Sequence, residues 1–195
     1  VLALIYALGD PDIQVETAVS NALAQIGPPP AQSAPVLALV LRNENYTVRS
    51  AAARALRAIG KDAVSPLTGM LNDPDPDVRV LASLALCEIG RGAEESASSL
   101  VGLLASDNKT VRIAAARALE EVTSSTLVLA ALPRLQEMLQ DEDEDLRIAA
   151  IRTLRVAEGE GSDVVDILSQ RLDSPSVLEK QEIALTLGAL GPGPE

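Results

Sequence analysis

Two runs of carboxylates are the first groups in this chain that could do chemistry. "DPDPD" at 73–77 and "DEDED" at 141–145 alternate acids as calcium loops do. The rest of a calcium loop is missing. The sixth positions are Val78 and Leu146, where the sharp bend needs Gly, and the twelfth are Leu84 and Arg152, where a bidentate Glu must close the shell. The pattern suits a tight turn leading into a helix N-cap, with acid at the positive end of the helix dipole. Four arginines recur behind such turns, Arg49, Arg79, Arg112 and Arg147. Each could grip a phosphate or a carboxylate. Their regular recurrence beside Asp75, Asn108 and Asp143 favours a structural ladder, each guanidinium bonding turn carbonyls or carboxylates of its own or the adjacent unit. The planar guanidinium fork suits that task better than an ammonium does, and 13 of the 16 basic residues are Arg.

The remaining reactive groups are few. Cys87 is the single cysteine and the chain has no His. A nucleophilic thiol needs a base or an electropositive niche, so Cys87 reads as a small residue on a helix surface. A lone Cys also excludes an internal disulfide and a cysteine metal cluster. Glu94–Glu95 and Glu120–Glu121 read as solvated helix faces. No phosphate loop, nucleophile elbow or pocketed carboxylate pair is present. The expectation is a protein that is not an enzyme, with no catalytic residue, cofactor or metal. A formal net charge of −12 lacks the basic footprint of a nucleic-acid binder. The longest apolar runs, such as "VLALIYAL", fall well short of the roughly 18 residues of a membrane span.

What positions these groups is a repeat. "TVRSAAARALRAIG" (47–60) returns as "DVRVLASLALCEIG" (77–90) and "TVRIAAARALEEVT" (110–123). With the residue before the Arg as position 0, the register falls at Val15, Val48, Val78, Val111, Leu146 and, degenerately, Glu179, at intervals of 33, 30, 33, 35 and 33. Such a period signals a solenoid. Position −3 holds Asp12, Asn45, Asp75, Asn108, Asp143 and Ser176, all good N-caps. Position −5 holds Asp10, Asn43, Asp73, Ser106, Asp141 and Ser174, all turn formers. Position +12 holds Gly27, Gly60, Gly90, Thr123, Glu158 and Gly191, and Gly suits a helix C-terminus. A shorter apolar helix precedes each turn, so each unit reads as helix A, turn, helix B, loop. The expected repeats span about 1–27, 31–60, 61–90, 93–123, 126–158 and 162–191 in one all-α, α-solenoid domain. Residue 1 falls inside an apolar helical pattern and the final "LGPGPE" leads onward, so the sequence reads as a segment of a longer chain. The compartment stays open, with the cytoplasm as default.

The pattern D-x-D-x-x-V-R-x-x-A-x-x-A-L-x-x-I-G, carried by Asp73, Asp75, Val78, Arg79, Ala82, Ala85, Leu86, Ile89 and Gly90 and their equivalents, resembles the short HEAT-like repeats of the phycobilisome-lyase type. The resemblance implies a right-handed superhelix with helices B on the concave side. It departs at Glu16, where Arg is expected, and at Glu179–Lys180, which replace Val–Arg. Relatives of similar repeat include phycobilin lyases, which handle a chromophore, di-iron hydroxylases built on His–Glu pairs, and DNA glycosylases with basic aromatic grooves. The absence of His and the scarcity of aromatics and basic residues set this segment apart from the last two.

At 100° per residue, positions 0, +4, +7, +8 and +11 form one core stripe, in the second repeat Val48, Ala52, Ala55, Leu56 and Ile59. The opposite arc, −2, −1, +2, +6 and +9, is expected to line a groove for a peptide or protein partner. Its candidates are Arg54, Val80, Leu81, Leu84, Ile113, Arg117, Ile148 and Arg152, apolar groups with Arg beside them, fitted to a partner with apolar and acidic groups. In the alternative, Leu81 and Leu84 tuck against a neighbouring helix B. A chromophore-handling protein and a structural spacer remain as other functions. Uncapped apolar ends also predict end-to-end self-association.

Overall fold

The computed structural model describes residues 2–7, 31–122, 124–157 and 162–190, with single positions 10, 12, 14, 15, 18, 19 and 22. The helices with described bounds are α1 (Leu2–Ala7), α2 (Ala34–Val40), α3 (Tyr46–Ile59), α4 (Val64–Met70), α5 (Pro76–Ile89), α6 (Ala97–Leu103), α7 (Lys109–Val122), α8 (Ser125–Ala130), α9 (Leu132–Leu139), α10 (Glu144–Leu154), α11 (Ser162–Ser169) and α12 (Val177–Leu190). No strand occurs among the described residues. Helices α3, α5, α7, α10 and α12 are helices B of repeats 2–6. Each packs on the helix A before it and on the helices B beside it, which makes an all-α solenoid.

The turns explain the recurrent polar residues. The −5 side chain accepts the backbone N–H of −3, as in Asp73 to Asp75 (3.0 Å) and Asp141 to Asp143 (2.9 Å). The −3 side chain then caps the helix. Asn45, Asp75, Asn108 and Asp143 accept from the N–H of Thr47, Asp77, Thr110 and Asp145 at 2.9–3.0 Å. The carboxylates that spaced like a calcium loop are thus turn acceptors, and the second oxygens of Asp73 and Asp143 face Arg42 and Lys109, each at 2.5 Å.

The arginine at +1 closes the turn. Arg49 Nη1 donates to the carbonyls of Asn43 and Glu44, Arg79 to Asp73 and Pro74, Arg112 to Ser106 and Asp107, and Arg147 to Asp141 and Glu142, all at 2.7–3.2 Å. Lys180, in the same register, is exposed and makes no such bond among the described residues. Helix B ends where Gly60 (φ +74°) and Gly90 (φ +67°) take the left-handed region. The other four +12 residues lie outside the described ones.

Positions 0, +4 and +8 of repeats 2–5 are buried, mostly at 0% exposure. Each buried Leu contributes roughly 1.5–3 kcal/mol, and these layers offset the ordering of the chain. Two further positions are buried: +3 (Ala51, Ala114, Ala149) and +5 (Ser83, Ala116, Ile151). They form the seams between adjacent helices B. Two hydroxyls stitch these seams. Thr153 Oγ1 shares its proton between the Ala116 carbonyl across the seam (2.9 Å) and the Ala149 carbonyl of its own helix (2.8 Å), and Thr186 Oγ1 donates to the Ile151 carbonyl at 3.4 Å.

Repeat 6 departs at its core. Glu179 takes position 0 and is 0% exposed. A buried lone carboxylate would be costly, and here it accepts from Arg147 Nε (2.9 Å), Arg171 Nη2 (2.9 Å) and Ser174 Oγ (2.8 Å). Burial pushes its carboxyl pKa up, but these hydrogen bonds together outweigh that and hold it below the usual range. Glu182, bonded by Arg152 and Arg155, is likewise lowered, first by the Arg152 hydrogen bond. At the preceding joint, between repeats 4 and 5, Glu120 is raised by burial, against the pull of Arg155.

Two outcomes follow. Arg112→Ala leaves the carbonyls of Ser106 and Asp107 without their donor and should lower stability by about 1–3 kcal/mol, read as a lowered denaturation midpoint; an unchanged midpoint would show that the ladder is not structural. Glu179 and Glu182 have depressed folded-state pKa values, so their contribution is full above the unfolded carboxyl pKa of about 4.3 and is lost as pH falls through the folded values. Glu120 has the opposite sign and lies on α7. Protection of α12 against hydrogen exchange should therefore fall below about pH 4.3 before that of α5 does; simultaneous loss in both helices would contradict this.

Candidate interaction surface

The groove candidates separate on the helix B arc. Arg54 and Arg117, both at +6, are exposed. Val80, Leu81, Leu84 and Ile113 are half-buried, and Leu81 and Ile113 rest partly on the core. Ile148 is buried at 7% exposure, on a helix that packs against α7 on one side and α12 on the other. It offers no free apolar surface, so the arc narrows at repeat 5. Arg152 is half-buried and tied to Glu182, one helix along. Arg49, Arg79, Arg112 and Arg147 are occupied by the turns described above.

A cleft of about 200 Å³ opens at the N-terminal ends of helices B in repeats 2–4. Tyr46, Pro76, Val80 and Leu81 give it apolar walls, and Asn108 and Thr110 close its far side. Tyr46 is 68% exposed, and its ring centroid lies 5.8 Å from the Arg49 guanidinium carbon. Sequence reasoning missed Tyr46 and Pro76. The available signal was an aromatic at −2 in a chain with two aromatics in all.

The face carries little means for acid–base or nucleophilic work. Cys87 is half-buried, and its Sγ donates to the Arg117 carbonyl at 3.5 Å, bridging to the next repeat. Burial raises its pKa, and Glu121 adds to the rise, so the thiol stays protonated at neutral pH. Among the described residues, no three His, Cys, Asp or Glu side chains converge as a metal-binding group. None of the helices there is long and apolar enough to cross a membrane.

A second apolar surface lies at repeat 6. Position −7 is Leu41, Leu71, Leu104 and Leu139 in repeats 2–5, each at most 3% exposed, whereas Leu172 is 44% exposed. Val177, Leu178 and Leu185 of α12 are 69%, 46% and 61% exposed.

Comparison with known proteins places this architecture. A designed armadillo repeat protein in complex with the peptide (KR)4 superposes with a TM-score of 0.70 at 19% identity, over 96% of this chain and 98% of that one. The complex of CpcE and CpcF of phycocyanin lyase from Nostoc gives 0.69 at 23% identity, over 80% of this chain and 99% of the other. In sequence, the uncharacterized phycocyanin operon protein Z of Pseudanabaena tenuis is 32% identical over 96 residues, which is 45% of this chain and 46% of that protein. The match thus spans about half the length of that relative. The family model for HEAT repeats matches residues 1–86, 33–120, 64–155 and 104–188, overlapping along nearly the whole sequence, and the chain therefore belongs to the HEAT-repeat family.

Proposed function

We propose that this chain is a protein-interaction scaffold without catalytic activity of its own, whose helix B arc receives a peptide or protein partner bearing apolar and acidic groups. One observation carries the reading. In repeats 2–5 the core positions 0, +4 and +8 stay aliphatic, while the outward ones change: Ser50, Val80 and Ile113 at +2, Arg54, Leu84 and Arg117 at +6. A fixed frame with varied outward residues is how a solenoid presents a binding surface. Exposed Arg beside apolar side chains is also the composition of an interface hot spot. The protonated Cys87 and the turn-bound carboxylates support the absence of catalysis.

The likeness to the phycocyanin operon protein and to phycocyanin lyase supports a second reading, a phycobilin lyase-like chromophore-handling protein. Tyr46 alone gives a tetrapyrrole little to stack on in the described arc. Mixing the chain with a bilin separates the readings, since handling the chromophore shifts its visible absorbance. A structural spacer would show no preference for any face.

Leu84→Asp combined with Arg117→Glu should abolish partner capture while leaving the helical melt in place. Unchanged affinity for the same partner, cross-linked to the same face, would contradict the scaffold reading. Leu172, just after α11 and exposed where its equivalents in repeats 2–5 are buried, supports end-to-end self-association. Sedimentation should show concentration-dependent dimers that Leu172→Lys removes; a strictly monomeric wild-type chain would refute it.

A further inference from the structure

Resting on the scaffold reading, we infer that the partner segment is an extended acidic peptide. It sets a carboxylate on each side of one apolar anchor and lies across helices α3, α5 and α7. The charge on this face is the first reason. The chain has 28 acidic residues against 16 basic ones. The arginines of the turns and repeat joints are hydrogen-bonded, as at Arg42, Arg57, Arg112 and Arg155. Arg54 and Arg117 are exposed and make no hydrogen bond or ion pair among the described residues. They occupy the same +6 register, two repeats apart. Two unmatched guanidiniums aligned on one face of a protein with a net charge of −12 are complementary to carboxylates from outside.

The second reason is what lies between them. Repeat 3 puts Leu84 at +6, and the apolar cleft of Tyr46, Pro76, Val80 and Leu81 opens beside it, centred on the same repeat. Its volume of about 200 Å³ admits one aliphatic side chain. Acids stand on both sides of this level, Glu44, Asp75 and Asp107 at the N-terminal ends and Glu88, Glu120 and Glu121 farther along the helices, so a carboxylate is drawn to mid-helix, to Arg54 and Arg117 beside Leu84. Asp77 at the cleft rim lies 3.9 Å from Arg49 Nη2, which offsets its charge.

The spacing then follows from geometry. Packed helices lie about 8–10 Å apart, so two steps from α3 to α7 span about 16–20 Å, and a chain extended as polyproline II rises about 3.1 Å per residue and returns a side chain to the same face every three residues. The two carboxylates should therefore stand about five to six residues apart, with the apolar anchor near the midpoint, about three residues from each.

Synthetic peptides of one composition test this by fluorescence anisotropy. One has Leu at the centre with Asp three residues to either side. A second places the Asp residues next to the Leu, and a third replaces both Asp by Lys. The first should bind about tenfold tighter than the second, and the third should not bind. Arg54→Gln and Arg117→Gln should each weaken the first by about fivefold to tenfold, and Leu81→Ser should remove the preference for Leu over Ala at the centre. Equal affinity for both acidic peptides would overturn the spacing. If none of the peptides binds, yet Leu84→Asp with Arg117→Glu still abolishes capture of a folded partner, the peptide proposal fails and the scaffold reading stands. If the first peptide binds equally well to all these variants, both fail.

Discussion

At the A–B turns of repeats 2–5 two backbone carbonyls, of positions −5 and −4, face the start of helix B. Carbonyls held away from water without a donor are costly, and these half-buried turns are given the same donor each time, the Nη1 of the arginine at +1. One nitrogen satisfies both oxygens and leaves the rest of the fork for the neighbouring repeat, as between Arg112 and Asp141 at 3.6 Å. Arg49 and Arg147 reach the next repeat likewise, at Asp77 (3.9 Å) and Glu179 (2.9 Å), so in three of the four repeats the side chain that closes one turn also holds the next. A Lys, with a single point charge on a flexible stem, cannot do both.

With the turns sealed by polar groups, helix B is left to small and branched aliphatic residues. Ala at +4 and +7 brings helices close, and the seams at +3 and +5 need side chains no larger than their gaps permit. Each contact joins near neighbours only, as in other repeat arrays. An outward residue can therefore change in one copy without disturbing another. Arg54, Leu84 and Arg117 differ at one register while Leu56, Leu86 and Leu119 beneath them stay the same.

The recurring features were legible in the sequence because each is fixed inside one unit. The N-caps at −3, the acceptors at −5, the core stripe and the glycines at +12 all depend on local helix geometry. Features made by two or three units were not legible. The burial of Ser83, Ala116 and Ile151 requires knowing which flank of helix B meets the next one. Ile148 shares its register with the half-buried Ile113, yet it is buried. The Tyr46 cleft gathers residues from three repeats, about thirty positions apart in turn. Glu179 appeared as a lapse in the pattern, and only its contacts with Arg147, Arg171 and Ser174 show that the charge is matched.

The matched charge at Glu179 gives the joint between repeats 5 and 6 a different thermal character from the others. Burial of apolar surface carries a large positive heat capacity of unfolding, and burial of polar surface carries a negative one. The desolvation penalty of ions also shrinks on warming. A joint closed by carboxylates and guanidiniums should have a flatter stability curve than one closed by Leu and Val. The relative strength of the joints along the rod then depends on temperature: cooling weakens the aliphatic joints first, and warming brings the ionic joint closer to parity with them.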